Sequence, residues 1–289
     1  MTGREIQLRI AVHVLDVCRR HGLRVWADWG TLLGAVREKG MIPWDDDIDL
    51  MMLREDYERL IVLADTEFRP PFFLQSVHTE RGYYRGHAQV RYDGTAAILP
   101  ADVRQPFHQG IFVDVFVYDR IPDDLSCAGW RRSLRTARLA QKCLLTAQYG
   151  RGLKRMVART VCGTLGYMRL YRLFERQFTK WNAVETKRIA CPTYDWRQVE
   201  REAKERTWYD ETVMLPFEDI EMPAPAGYDK VLTTLYGADY MTPRQDSSGH
   251  GELIIDAEHD WREVLRKRRK TSRQSCSASM MSSPWPDES

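Results

Sequence analysis

The segment "WDDDIDLMML", residues 44 to 53, sets Asp45, Asp46, Asp47 and Asp49 directly against an apolar run. Two like charges 4 Å apart cost about 1 kcal/mol in water and several-fold more near a protein surface. An exposed loop relieves that cost by solvation. Here the acids instead feed a strand pattern, Ile48 and Leu50 to Leu53, that needs burial. Alternate strand residues share a face. Asp47 and Asp49 are therefore expected on one side, with Ile48 and Leu50 toward the core. Two carboxylates so placed can hold one hard divalent cation, Mg²⁺ or Mn²⁺, and leave positions for phosphate oxygens and water. An EF-hand shares the spacing of Asp45, Asp47 and Asp49. It fails at loop position six, where Leu50 replaces the required Gly, and at position twelve, where Asp56 replaces Glu. The DxD of nucleotide-sugar glycosyltransferases stays open. Asp45 and Asp46 read as caps of the strand.

The residues around this cluster alternate between helix and strand patterns. Ile6, Ile10, Val14, Val17 and Cys18 recur at three- and four-residue steps, which predicts an amphipathic helix over 5–20 ended by Gly22. A short strand is expected at 23–28. A helix N-capped by Thr31 and running through about Glu38 follows, with Gly40 and Pro43 beyond it. Strands are expected at 48–53, 72–77 and 86–93, with "TAAIL" pairing back after the Asp93-Gly94 turn. "GIFVDVFVYD", 110–119, is the clearest strand pattern in the chain. Helical periodicity then runs from Trp130 to about Ala190, broken near 150–152. Another helix is expected at 196–206, an extended stretch at 217–225 and a short helix at 228–237. The expected units are a catalytic α/β core at 1–125, a helical basic region at 126–210, a return segment on the core at 211–265, and a disordered tail at 266–289.

The 289 residues are 43% hydrophobic and 29% charged, which suits a globular chain with a sizeable core. Net charge is only +2, yet its distribution is uneven. From Arg131 to Arg188 the only acids are Glu175 and Glu185. That sign asymmetry suits a polyanionic glycan or an anionic membrane surface. No nucleic-acid-binding module is recognisable. None of the six cysteines forms a CxxC pair, so scattered thiols in a reducing compartment are expected. The N-terminus lacks a signal-peptide core and no segment has eighteen consecutive apolar residues. The expected location is the cytoplasm, with peripheral contact at the inner face of the membrane.

Upstream of the acids, Gly30-Thr31 opens a predicted helix. Glycine admits close backbone approach, and N-terminal N–H groups with the helix dipole favour an anion such as phosphate. A Gly-Thr helix start, about fifteen residues, then Asp-apolar-Asp-apolar resembles the nucleotidyltransferase superfamily of the polymerase-β type. That resemblance implies a third carboxylate on a neighbouring strand, for which Asp114 in "GIFVDVFVYD" is the candidate. The blocks "WGTLLGAVREKGMIPWDDDIDLMM", "REDYERL", "QVRYDGTAAI", "GIFVDVFVYDRIP" and "YDKVLTTLYGADYMTP" then resemble the LicD family, in family order. They cover the core and leave the helical region weakly constrained.

The resemblance implies an α/β (α+β) fold: a mixed-sheet nucleotidyltransferase core with flanking helices and a helical insert. It implies a phosphotransferase that moves a phospho-alcohol, phosphocholine or a polyol phosphate, from a CDP-activated donor. The acceptor would be a hydroxyl of a cell-surface glycan, a teichoic acid or a lipid-linked saccharide. Asp47, Asp49 and Asp114 are then the expected catalytic and metal-holding residues, with Mg²⁺ or Mn²⁺ as cofactor. Gly30 and Thr31 are expected to meet phosphate through their N–H groups. Arg91 and Arg37 are candidate phosphate clamps. Trp44, with Trp26 and Trp29 nearby, is a candidate face for a quaternary ammonium group, although core packing is the commoner use of Trp. His87 and His108 are left outside the site, because Mg²⁺ prefers oxygen donors. Two other readings compete: a GT-A-like sugar transferase, and a non-catalytic binding subunit of the same family.

Overall fold

The computed structural model describes residues 1–192, 196–244 and 253–268, with the backbone alone at 196–198. The fold is mixed α/β. Helix α1 (Gly3–His21) begins at a capping box between Thr2 and Glu5 and ends at Gly22 in the left-handed conformation. Strand β1 (Trp26–Ala27) leads into α2 (Trp29–Arg37), and β2 (Asp49–Leu53) into α3 (Arg54–Val62) and α4 (Ala64–Glu67). Strands β3 (Phe72–Gln75), β4 (Ala88–Tyr92), β5 (Ala96–Ile98) and β6 (Phe112–Ile121) follow. The helical region holds α5 (Ala128–Tyr149), α6 (Gly152–Leu165) and α7 (Tyr167–Thr179). After it come β7 (Arg188–Ala190), α8 (Trp196–Arg201), β8 (Lys204–Glu205), β9 (Thr212–Phe217), β10 (Ile220–Pro225), α9 (Tyr228–Tyr236) and β11 (Ile254–Asp256). A final helix covers 261–268. The expected disordered tail therefore starts on helical residues at 266–268, and its remainder lies outside the described residues.

The main sheet runs β1-β2-β6-β4-β3, and β7 extends it from β6 with β8 beyond. β2 and β6 are parallel, with Asp49 opposite Asp114. β4 is antiparallel to β6, with Gln89 also opposite Asp114. Residues 49, 114 and 89 thus form one row across three strands. On β6 the period-two alternation of a strand puts Phe112, Asp114 and Phe116 on one face. Val113, Val115 and Val117 take the other, in the same buried cluster as Ile6, Ile10 and Val14 of α1. Helix α1 covers that face across β4 and β6, which leaves the Asp114 face for a cavity.

Several expectations change here. "TAAIL" does not pair back on 86–93. β5 pairs with β11 instead, Ile98 against Ile254, and Trp261 and Leu265 complete a small cluster there. The helix expected to be capped by Thr31 begins three residues earlier, with Asp28 at the cap position. The helical stretch breaks a second time at Gly166, whose φ is +88°. The helix expected over 196–206 stops at Arg201, because the chain turns into β8. The extended stretch at 217–225 holds the end of β9, the turn and the second arm, β10, of a hairpin that starts at Thr212. The chain also returns to the sheet at β7, before the expected boundary at 211.

A buried ion network fastens the helical region to the sheet. Arg54 donates from Nε and Nη2 to the two oxygens of Asp119, at 2.9 and 2.7 Å, and from Nη1 to Glu175 of α7 at 2.8 Å. Asn182 Nδ2 also donates to Asp119, at 2.6 Å. The paired forks satisfy a carboxylate that has no solvent contact. Close backbone approach fixes α2 as well. A Cβ on Gly34 would lie 2.4 Å from the Gly40 carbonyl oxygen. Gly34→Ala is therefore expected to destabilise the protein by about 1–3 kcal/mol, read as a lower denaturation midpoint in urea at unchanged m-value.

Candidate active site

The acidic loop is held in place before it can bind anything. Arg4 of α1 donates to the carbonyls of Ile42 and Pro43, and Gln7 Nε2 donates to the Asp46 carbonyl at 2.7 Å. Thr31 supplies the next restraint. Its side chain is buried and its hydroxyl accepts the Asp49 N–H at 2.8 Å. A Cβ on Gly30 would stand 2.2 Å from Asp45 Oδ2. Glycine is required there because the Asp45 carboxylate rests against the start of α2, where negative charge is favoured.

With the loop fixed, one carboxylate oxygen from each of Asp47, Asp49 and Asp114 lies within 4.8 Å of the others. Asp45, Asp46 and Asp47 form a second such group. Asp47 and Asp114 are buried. Burial, then the charges of Asp47 and Asp114, holds the Asp49 carboxyl well above the usual carboxylate range. His87 Nε2 stands 3.0 Å from Asp114 Oδ1 in a nearly dry position. Burial pushes the imidazole pKa down, and Asp114 only partly opposes this.

The three carboxylates floor a cavity of about 750 Å³. Phe112 and Phe116 of β6, Gln89 of β4 and Trp29 share that floor. Gln141, Leu145 and Tyr149 of α5 form the far wall. Their four-residue spacing stacks them on one helix face. Tyr84, Arg85, Tyr236 and Glu202 also line the cavity, as does His87, which the sequence left outside the site. Arg85 is ion-paired to Asp102, and Tyr149 Oη donates to the other Asp102 oxygen at 3.0 Å. The guanidinium is thereby aimed from a fixed anchor.

The expected binding residues divide sharply. Gly30 and Thr31 do not line the cavity; they position Asp45 and Asp49. Arg91 is not a clamp at the cavity. It is buried, donating to Gln75 Oε1 at 2.8 Å, to the Gly110 carbonyl at 2.7 Å and to Gln89 Oε1. Its charge also sits 4.5 Å over the Phe112 ring, and burial lowers its pKa to about 10. Arg37 is likewise spent on Glu38 and the Tyr240 carbonyl. Trp44 is exposed and does not line the cavity, and Trp26 is core, its Nε1 donating to Thr212. Trp29 is the tryptophan that faces the cavity, packed edge-on to Phe116 with centroids 4.4 Å apart. Arg85, Tyr236 and Glu202 carried no sequence signal. The face formed by Gln141, Leu145 and Tyr149 had one, its four-residue repeat.

Comparison with known proteins finds relatives of one family. Residues 22–130 match the family model described as LicD/FKTN/FKRP, nucleotidyltransferase domain. The chain is 26% identical over 265 residues to lipopolysaccharide cholinephosphotransferase LicD of Haemophilus influenzae, covering 86% of this chain and 96% of that protein. It is 38% identical over 73 residues to ribitol 5-phosphate transferase FKRP of Homo sapiens, covering 25% of this chain and 14% of that protein. Asp47, Asp49 and Asp114 all fall inside residues 22–130, the stretch over which the chain is similar to the LicD family.

Proposed function

We propose that this chain is a metal-dependent phosphotransferase on a nucleotidyltransferase-like core. It would move a phospho-alcohol, phosphocholine or a polyol phosphate, from a CDP-activated donor to a glycan hydroxyl. The observation that carries the reading is the convergence of Asp47, Asp49 and Asp114 on the floor of one cavity. The names of the relatives support the reaction class.

The three carboxylates fit a hard divalent cation. They offer oxygen donors only, close together, on a strand pair whose burial makes unshielded negative charge costly. Bound there, Mg²⁺ or Mn²⁺ supplies positive charge against the donor diphosphate. The chain's own residues do the rest. Arg85, anchored by Asp102, meets phosphate oxygens from the rim. Trp29, Phe116 and Tyr236 exclude water around the donor. The acceptor oxygen bonds to phosphorus, the bond from phosphorus to the CMP oxygen breaks, and the hydroxyl proton passes to a carboxylate of the trio.

Screening CDP-choline and CDP-ribitol for CMP release with and without Mg²⁺ tests this. Release that needs both the ion and an acceptor glycan is expected. Turnover of UDP- or GDP-sugars, with CDP-alcohols inert, would establish the sugar-transferase reading in its place.

A further inference from the structure

Helix α6 carries its apolar stripe on the outside. A surface helix ordinarily turns such a stripe toward the core. In α6 the buried residues are Ala158 and Cys162. Leu153 is 69% exposed, Met156 61%, Val157 53%, Leu165 51% and Val161 37%. At 3.6 residues per turn, Leu153, Val157, Val161 and Leu165 lie in one row. Met156, with Thr160 and Thr164, widens the patch on one side. Lys154 borders one edge and Arg159 the other, both exposed. From residue 125 through 174 the chain has eleven Lys and Arg and no Asp or Glu. The patch therefore has an apolar centre, and every charged side chain that residues 125–174 place around it is cationic.

We propose that the outer face of α6 docks this chain on an anionic lipid bilayer, with the helix lying flat in the headgroup layer. Apolar side chains would enter the acyl boundary while Lys154 and Arg159 reach anionic headgroups. With 14 residues the helix is too short to span a bilayer, and its packing on α5 and α7 keeps it in place. A second copy of the chain is a poor occupant. Pairing about a two-fold axis would set the cationic borders against their own copies. A nucleic acid would leave the apolar centre without a partner. A bilayer with negative headgroups satisfies both parts. Docking goes beyond the phosphotransferase reading, and vesicle binding needs no turnover, so either can fail alone.

Co-sedimentation of the full chain with vesicles tests the proposal. Pure phosphatidylcholine vesicles are compared with phosphatidylcholine/phosphatidylglycerol vesicles, at low and high salt. Binding to the anionic vesicles alone is expected, weakening as salt rises. Leu153→Ser with Val157→Ser should lower the partition coefficient about tenfold or more. Lys154→Gln and Arg159→Gln should cost about fivefold each. These side chains are exposed, and circular dichroism checks that the variants fold. The proposal is overturned by absence of binding to anionic vesicles or by variants that bind as well as the parent. Velocity sedimentation showing a dimer that the double serine variant abolishes, with no vesicle binding, would assign the patch to a second copy.

Discussion

Asp114→Asn is expected to lower phosphotransfer by about a thousandfold or more while leaving the fold intact. Asn keeps the shape of the side chain, so the register that sets residue 114 against Asp49 and Gln89 survives. What disappears is one of three carboxyl groups whose oxygens lie within 4.8 Å of one another. Under the proposed metal-dependent reaction, losing a charge that the cation requires removes several kcal/mol of transition-state stabilisation, and each 1.36 kcal/mol is tenfold in rate. Without divalent metal, the substitution relieves repulsion. The variant should melt no lower than the parent, and the rise in melting temperature on adding Mg²⁺ should shrink. Asp46→Asn is the control, since Asp46 does not line the cavity, and its turnover should stay near that of the parent. CMP release within tenfold of the parent for Asp114→Asn would remove the basis of the catalytic assignment.

The parts of this site legible in the sequence are those set by local period. The alternation in "GIFVDVFVYD" fixed which residues share the face of Asp114, and the acidic run pointed to Asp47 and Asp49 without any partner in view. The recognisable blocks also led to the family. Register between distant strands was less accessible. "TAAIL" follows a turn signal that favours a hairpin, yet residues 254–256 outcompete it from more than a hundred and fifty positions away. Arg91 illustrates a second limit. Strand alternation puts it on the same face as Gln89, but the wall provided by Gln75 and the Gly110 carbonyl lies on other segments. A cation next to a site in sequence was thus absorbed into the core, whereas Arg85, in a loop without periodicity, reaches the cavity. Thr31 shows a third. Its hydroxyl suits a cap, but Asp28 takes that position because β1 ends one residue earlier and the Asp28 N–H bonds the Asp49 carbonyl at 3.0 Å. Where tertiary hydrogen bonds compete with local ones, sequence pattern alone gives the smaller term.

Lys204 is the strongest example of a contribution invisible to local pattern, and Lys204→Met is expected to destabilise the protein by roughly 3–5 kcal/mol. Lysine at the end of a two-residue strand reads as a solvated surface group. In the fold it is fully buried, with Nζ donating to Asp28 Oδ1 at 2.6 Å and to Tyr118 Oη at 2.7 Å. Tyr118 Oη donates in turn to Asp28 Oδ2. The triad therefore ties β8 to the middle of β6 and to the residue before α2. Met fills the space of the lysine stem but leaves the Asp28 carboxylate buried with one hydrogen bond and no counter-charge. Removing the charge from both partners should cost much less, so Lys204→Met with Asp28→Asn should recover most of the lost stability. The consequence reaches the cavity as well. Trp29 follows Asp28 directly, holds a φ of +36° and forms part of the cavity floor. A non-glycine residue keeps such a backbone only while its surroundings enforce it. The single variant should therefore lose more turnover than its folded fraction accounts for, and the double variant should regain stability before it regains rate. Urea denaturation of both variants, with CMP release measured on the folded population, separates the two effects. A Lys204→Met protein within about 1 kcal/mol of the parent would mean that Asp28 finds another partner or a proton, and that the triad does not govern the start of α2.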